Sequence, residues 1–140
     1  MIVVVDASVA LKWFMGAGRG EVHVDKALKL LEDVASGALD LVQPPHFVAE
    51  VAAVLARLKP DGALEDLLDL QQIQFRVLDR PEVHATALDL AISFKCHVFD
   101  TLYHAVALHT PGAVLVTADL RYLRLARPRG QVVALADFVS

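Results

Sequence analysis

Apolar and polar positions follow two regimes along this chain. Short unbroken apolar runs alternate with longer stretches in which apolar residues recur at helical spacing. Residues 2–5 are a continuous β-branched run, the pattern of a strand buried on both faces. Residues 8–14 have helical spacing and stop in the glycine-rich segment 16–20. Residues 21–35 keep a helical period through Val24, Ala27, Leu28, Leu31 and Val34, with Gly37 as the stop. Residues 39–42 form a second strand, closed by Pro44-Pro45. The next helix spans about 46–58 and ends at Lys59-Pro60. A helix over 61–72 is acidic at its start, which suits the helix dipole. Residues 75–78 form a third strand, and Pro81 opens a helix that runs to about Phe94. Residues 96–99 are too short a run to assign. A helix over 100–109, the clearest later strand over 113–117, a short helix from Asp119 and a last strand over 132–134 complete the pattern.

Strands that alternate with helices pair in parallel, with the helices as crossovers. The expected fold is a three-layer α/β/α arrangement with a central parallel sheet, built as one domain over residues 1–140. In such sheets ligands bind outside the carboxyl ends of the strands. Hydrophobic residues make up 56% and charged residues 21%, which excludes a disordered chain. The single Cys96 excludes an internal disulfide framework and a four-cysteine zinc site. A net charge of −4 excludes a basic nucleic-acid coat, but not an enzyme with a local basic patch. The mean hydropathy of +0.49 raises the question of a membrane span. Residues 101–118 carry no formal charge, yet His104, His109 and Pro111-Gly112 interrupt them. They read as a helix, a turn and a buried strand. The start MIVVVDASV has no basic region of the kind that opens a secretory leader, so a cytoplasmic protein without membrane contact is expected. The apolar surplus then points to a surface kept for a partner.

Four acids stand out by context. Asp6 ends the first strand in VVVDAS, and Asp119 follows a strand in LVTAD. Asp100 opens a helix in HVFDTLYHAVAL, and Glu50 sits in the helical FVAEVAAVL. Taken singly, an aspartate between a strand and a helix is a helix cap. Glu50 resists so plain a reading. Phe47, Val48, Val51 and Val54 surround it in the helix, and no basic residue is expected three or four positions away to pair with it. Carboxylates gathered at one sheet end repel, two of them 4 Å apart by ~4 kcal/mol at an effective dielectric of about 20. They must take up protons or bind a cation. Oxygen ligands without a cysteine or histidine triad select Mg²⁺ or Mn²⁺. A divalent ion so held polarises a phosphoryl oxygen and activates water, the chemistry of phosphodiester hydrolysis.

The segments MIVVVDASVALKW, FVAEVAAVL, FDTLYHAVAL and LVTAD, in this order and spacing over nearly the whole chain, resemble the motifs of a PIN domain. More narrowly, they are similar to those of VapC-type toxin ribonucleases. The resemblance implies a metal-dependent endoribonuclease acting on transfer or ribosomal RNA. It implies inhibition by a cognate VapB-type antitoxin, and usually a homodimer. The family's acidic quartet falls on Asp6, Glu50, Asp100 and Asp119, and its supporting hydroxyls on Ser8 and Thr117. On this reading Asp6 and Asp100 hold one Mg²⁺, Asp119 completes that site or helps hold a second ion, and Glu50 orients or deprotonates the attacking water. Many relatives carry Asn three positions after the helical Glu, where this chain has Ala53.

RNA needs positive charge to grip it. Arg121, Arg124, Arg127 and Arg129 follow Asp119 closely and make up four of the 13 basic residues. Arg121 and Arg124, with Lys12, are the expected backbone contacts, against the plain alternative of a solvated surface. Trp13 could stack a base or anchor an antitoxin, though ordinary packing accounts for it as well. His97 and His104 lie three before and four after Asp100, but no zinc signature such as HExxH is present, so His104 is read as a residue near the pocket. The segments around Trp13, 21–34 and 48–55 could form an apolar groove for an antitoxin whose basic side chain neutralises the acids. The competing reading is a catalytically inactive PIN-like module that binds RNA or protein. A phosphoacceptor domain ranks lower, because Asp6 has no acid beside it and no Lys follows Val133. Neither GxxxxGK[ST] nor GxGxxG occurs, which speaks against a nucleotide cofactor.

Overall fold

Strand β1 (Ile2–Val5) lies at the centre of a five-stranded sheet. It runs parallel to β2 (Asp40–Gln43) on one side and to β4 (Ala113–Thr117) on the other. β3 (Arg76–Val77) extends the sheet beyond β2, and β5 (Val132–Ala134) extends it beyond β4. The order is β3-β2-β1-β4-β5, with every pairing parallel. The structure, a computed structural model, describes residues 1–16 and 20–140. Val3, Val4 and Val5 are each 0% exposed. Successive strand residues point to opposite faces, so both faces of the sheet are covered and the three-layer expectation holds.

Two short helical segments follow β1: α1 (Ala7–Ala10) and α2 (Lys12–Met15). The sequence pattern joins them as one helix over 8–14, and Leu11 between them keeps a right-handed helical backbone at φ −61° and ψ −29°. Gly16, at φ 68°, ends α2 in a conformation costly for other residues. The expected glycine-rich break over 16–20 falls largely on residues 17–19, which lie outside the described residues. The next helix, α3 (Val24–Ser36), begins three residues later than expected. Glu21 is drawn into an ion pair with Lys12, and His23 takes a left-handed conformation at φ 58°. α4 (Phe47–Leu58) and α5 (Ala63–Gln72) carry the chain from β2 to β3.

α6 (Pro81–Phe94) starts and stops where the sequence places it. α7 (Val98–Leu108) packs across β1, β2 and β4, and every residue from 101 to 107 is buried. Thr101 ties the two helices together by donating its hydroxyl to the Ala87 carbonyl at 2.7 Å. α8 (Leu120–Ala126) links β4 to β5. The uncharged stretch 101–118 is thus most of α7, a turn and β4. Among the described residues no helix is long and apolar enough to cross a membrane.

This strand order places the site. The chain builds outward from β1 to β2 and β3, then returns to build β4 and β5 on the other side. The order reverses between β1 and β4, and ligands bind at such a reversal beyond the carboxyl ends. At the same end β1 and β2 separate, since their paired positions run only from Ile2–Asp40 to Val3–Leu41. The buried amide of Gln43 takes over the missing ladder. It accepts from the Val5 N–H at 2.9 Å and donates to the Val5 carbonyl at 2.8 Å. One side chain satisfies both backbone groups of the last β1 residue, which would otherwise be costly to bury.

Candidate active site

Asp6 leaves β1 with an extended backbone and stands where a helix cap would stand, yet its side chain makes no cap bond. Its two carboxylate oxygens instead accept from two hydroxyls, Ser8 Oγ and Thr117 Oγ1. Each hydroxyl is itself fixed by a backbone amide. Ala118 N donates to Ser8 Oγ at 3.1 Å, and Asp119 N donates to Thr117 Oγ1 at 3.0 Å. The carboxyl ends of β1 and β4 are therefore joined through one carboxylate. Loss of water around Asp6 pushes its pKa up to about 6, against the pull of the two hydroxyls, and nearby Asp119 adds to the rise.

Asp119 does cap its helix, accepting from Tyr122 N at 3.0 Å. The plain cap reading is correct there, and it leaves Oδ2 free of that bond. Asp100 is not the helix-opening residue the sequence pattern suggests. α7 begins at Val98, with His97 as its cap through Nδ1. Asp100 therefore sits within the first turn, relieved of capping. Burial raises its pKa, and the charge of Asp119 raises it further.

Glu50 is half-buried on α4. Tyr103 Oη donates to its Oε1 at 2.9 Å, and His46 Nε2 stands 3.7 Å from Oε2. The sequence reading found no partner three or four positions away. His46, four residues earlier on the same helix face, is one, which corrects that reading. Burial raises the Glu50 pKa despite the Tyr103 hydrogen bond, and the charges of Asp100 and Asp6 add to the rise. Burial lowers the pKa of His46. With Nε2 donating to the Phe99 carbonyl at 2.9 Å, its Nδ1 is buried without a partner. His46, Tyr103 and Gln43 are the residues of this region that sequence reasoning missed. For His46 the signal was its i−4 spacing from Glu50, and for Tyr103 its place one turn after Asp100.

The four acids thus sense one another's charge at one end of the sheet. Among the described residues no lysine or arginine forms an ion pair with any of them. Nor do three acids, imidazoles or thiols stand close enough to enclose a metal ion between them. The donors are hard oxygens. Mg²⁺ is commonly held through one or two carboxylates with water in its other positions, so this donor set fits such an ion.

The remaining predicted residues divide. Lys12 is not a free phosphate contact, because it is buried and its Nζ lies 2.6 Å from Glu21 Oε2. Trp13 is partly buried and donates its indole N–H to the Ala27 carbonyl at 2.9 Å, which supports the packing reading. Arg121 and Arg124 lie exposed on α8 and form no ion pair among the described residues. Arg129 is turned away, 3.6 Å from Asp89 and over the Phe94 ring. His104 is fully buried, with both ring nitrogens bonded to Tyr122 Oη and to the Gly130 carbonyl at 3.0 and 2.9 Å. It is a core histidine. Ala53 lies on the same helix face as Glu50, one turn on, and offers no polar group.

The model of the PIN domain family matches residues 3–128. No curated protein matches at the level of sequence. Among solved structures, PAE2754 from Pyrobaculum aerophilum is 25% identical, with a TM-score of 0.63 over 97% of this chain and 90% of that one. VapBC2 from Rickettsia felis, solved with a DNA fragment from its promoter, is 16% identical, with a TM-score of 0.67 over 96% and 98%. VapC20 from Mycobacterium tuberculosis, described as a toxin that cleaves the Sarcin-Ricin loop, is 13% identical, with a TM-score of 0.60 over 83% and 87%. The fold of the chain is that of these VapC structures.

Proposed function

The chain belongs to the PIN-domain family, and from that premise we propose that it is a metal-dependent endoribonuclease toxin, inhibited by a cognate antitoxin. One observation carries the reading. Four carboxylates whose charges act on one another lie by the reversal point of the sheet, Asp6 and Glu50 fixed by hydroxyls and Asp119 by a backbone amide, with no lysine or arginine paired to them among the described residues. The buried acids Asp33 and Asp66, by contrast, each have a lysine.

Asp6 and Asp100 would hold a Mg²⁺ or Mn²⁺ ion, directly or through water, and Asp119 would complete that site or help hold a second ion. Bound there, the ion supplies positive charge to the phosphate oxygens and acidity to a coordinated water. Ser8 and Thr117 fix the direction of the Asp6 oxygens. Glu50, aimed by Tyr103, orients the attacking water and takes up its proton, and burial raises its pKa. Arg121 and Arg124 contact the RNA backbone. The likeness of fold to a toxin that cleaves the Sarcin-Ricin loop supports RNA as the substrate, of the transfer or ribosomal kind. The likeness to VapBC2 supports an antitoxin of the VapB type. We further take the protein to act in the cytoplasm as a homodimer, each chain a single unit over 1–140.

The test is cleavage of transfer and ribosomal RNA by purified, antitoxin-free protein in Mg²⁺, Mn²⁺ or EDTA. Asp6→Asn and Asp100→Asn, with folding checked by circular dichroism, serve as controls. Metal-dependent cutting that both variants lose is the expected result. Cutting that persists in EDTA, or in both variants, contradicts the proposal. The second reading, an inactive binding module, rests on Ala53, which removes a polar group beside Glu50. It gains if the wild-type protein binds RNA, binds no divalent ion and cuts nothing.

A further inference from the structure

Phe99 is an exposed aromatic residue held unusually firmly. Its N–H donates to His97 Nδ1 at 3.1 Å, and its carbonyl accepts from His46 Nε2 at 2.9 Å. Its ring lies against both imidazoles, with centroids 4.6 Å from His97 and 5.2 Å from His46. The residue is nevertheless 50% exposed. Two helices supply the rest of the setting. His46, Ala49, Glu50 and Ala53 share one face of α4, and the two alanines leave its floor empty. With Phe99 as the opposite wall they line a cavity of 230 Å³, almost wholly apolar apart from its Glu50 end.

We propose that this groove binds one unpaired nucleobase of the RNA beside the cleaved phosphate, stacked on the Phe99 ring. The inference rests on the nuclease reading above and names how that site selects its substrate. Two features favour a base over other occupants. The groove runs into the acidic site, since Glu50 belongs to both and Asp100 directly follows Phe99. A group seated here is therefore adjacent to a phosphate at the acids. The flat face of a base also matches the apolar walls and brings no charge to the Glu50 end. A pinned aromatic ring beside a nucleic-acid site is how proteins bind single strands with little dependence on sequence. An amide at position 53 would project a polar group into the floor, and Ala53 keeps it open.

The test uses short single-stranded oligoribonucleotides containing 2-aminopurine, whose fluorescence falls when it stacks on an aromatic ring. Binding is read on the full chain carrying Asp6→Asn, so that cutting does not intervene. The expected result is quenching on binding, with affinity lowered about 5- to 150-fold by Phe99→Ala, the range measured when a stacking ring is lost. Phe99→Trp keeps both quenching and affinity. Ala53→Leu, on an exposed and helix-compatible position, fills the groove while leaving residue 99 unchanged and also weakens binding. Equal affinity and quenching in Phe99→Ala and Ala53→Leu overturn the base site while leaving the nuclease reading intact. So does unchanged RNA binding accompanied by a changed oligomeric state, which assigns the groove to a protein contact. No binding of any oligoribonucleotide by the parent protein overturns both readings.

Discussion

Acidic side chains are stabilised in two different ways in this molecule. Asp33 on α3 and Asp66 on α5 are buried, and each has a lysine. Lys29 bonds Asp33, with Ser140 Oγ on its other oxygen, and Lys59 Nζ lies 2.8 Å from Asp66. The Lys29 hydrogen bond holds the Asp33 pKa below the usual carboxylate range. At the carboxyl ends of β1 and β4 the arrangement is opposite. Asp6 and Glu50 are held by hydroxyls and pair with no lysine or arginine among the described residues, and both pKa values rise. Hydroxyls orient an anion without neutralising it, so this region stores electrostatic repulsion that the lysine-paired acids do not. On the proposed reading, the difference separates acids that serve the fold from acids that bind a cation.

Stability should respond in opposite directions to the same chemical change at the two places. Asp6 has a folded pKa near 6 against an ordinary 3.8. The folded chain therefore binds this proton more tightly than the unfolded one. That contribution is fully present below about pH 3.8 and is lost as pH rises through about 6. The loss amounts to at most roughly 3 kcal/mol before solvent screening. In metal-free protein at pH 8, Asp6→Asn should raise stability by on the order of 2 kcal/mol. About 1 kcal/mol of the relief is given back where one hydroxyl loses its acceptor. Asp66→Asn, which breaks the pair with Lys59, should lower stability by about 1 kcal/mol. Urea denaturation at pH 8 and at pH 5 measures both. The Asp6→Asn gain should shrink at the lower pH, and losses of equal size in the two variants would erase the contrast.

A smaller effect sharpens the role of Glu50. Tyr103→Phe removes one hydrogen bond to a carboxylate and nothing else, costing about 1 kcal/mol of stability. It should lower the rate of RNA cleavage roughly tenfold, through loss of aim, with little change in substrate affinity. Because Tyr103 lowers the Glu50 pKa, the acid limb of the rate–pH profile should move to higher pH in the variant. A uniform fall in rate with an unmoved profile would reduce Tyr103 to packing. The smallest effect is expected at the rim. Arg121→Ala and Arg124→Ala should each weaken RNA binding a few-fold, and each should flatten the dependence of log affinity on log salt by about one unit. Binding titrations at several salt concentrations check this.

Much of this arrangement is legible in the sequence. Asp6, Asp119 and Glu50 betray themselves because each stands in an apolar run or at its end. The β1 and β4 runs are continuous because both their faces are buried. The misses have physical causes. The contact between Glu50 and Tyr103 joins residues 53 apart, so no local periodicity reports it. Lys12 reads as a free base because Glu21, its partner, lies beyond a glycine-rich segment. The same ion pair helps delay the start of α3 to Val24. Asp100 reads as a cap because nothing in the pattern reveals that His97 takes that place. Gln43 has no local signature at all, since its task arises only where β1 and β2 part.

The acids at the sheet end pair with no lysine or arginine among the described residues, and on the proposed reading they bind a divalent cation. Calorimetric titration of Mn²⁺ into the metal-free chain at pH 7.5 tests it directly, with Asp6→Asn and Asp33→Asn titrated alongside. The account predicts saturable binding by the wild-type protein, weakened at least tenfold by Asp6→Asn and unchanged by Asp33→Asn. Absence of binding to the folded wild-type chain, or equal loss in both variants, would contradict it.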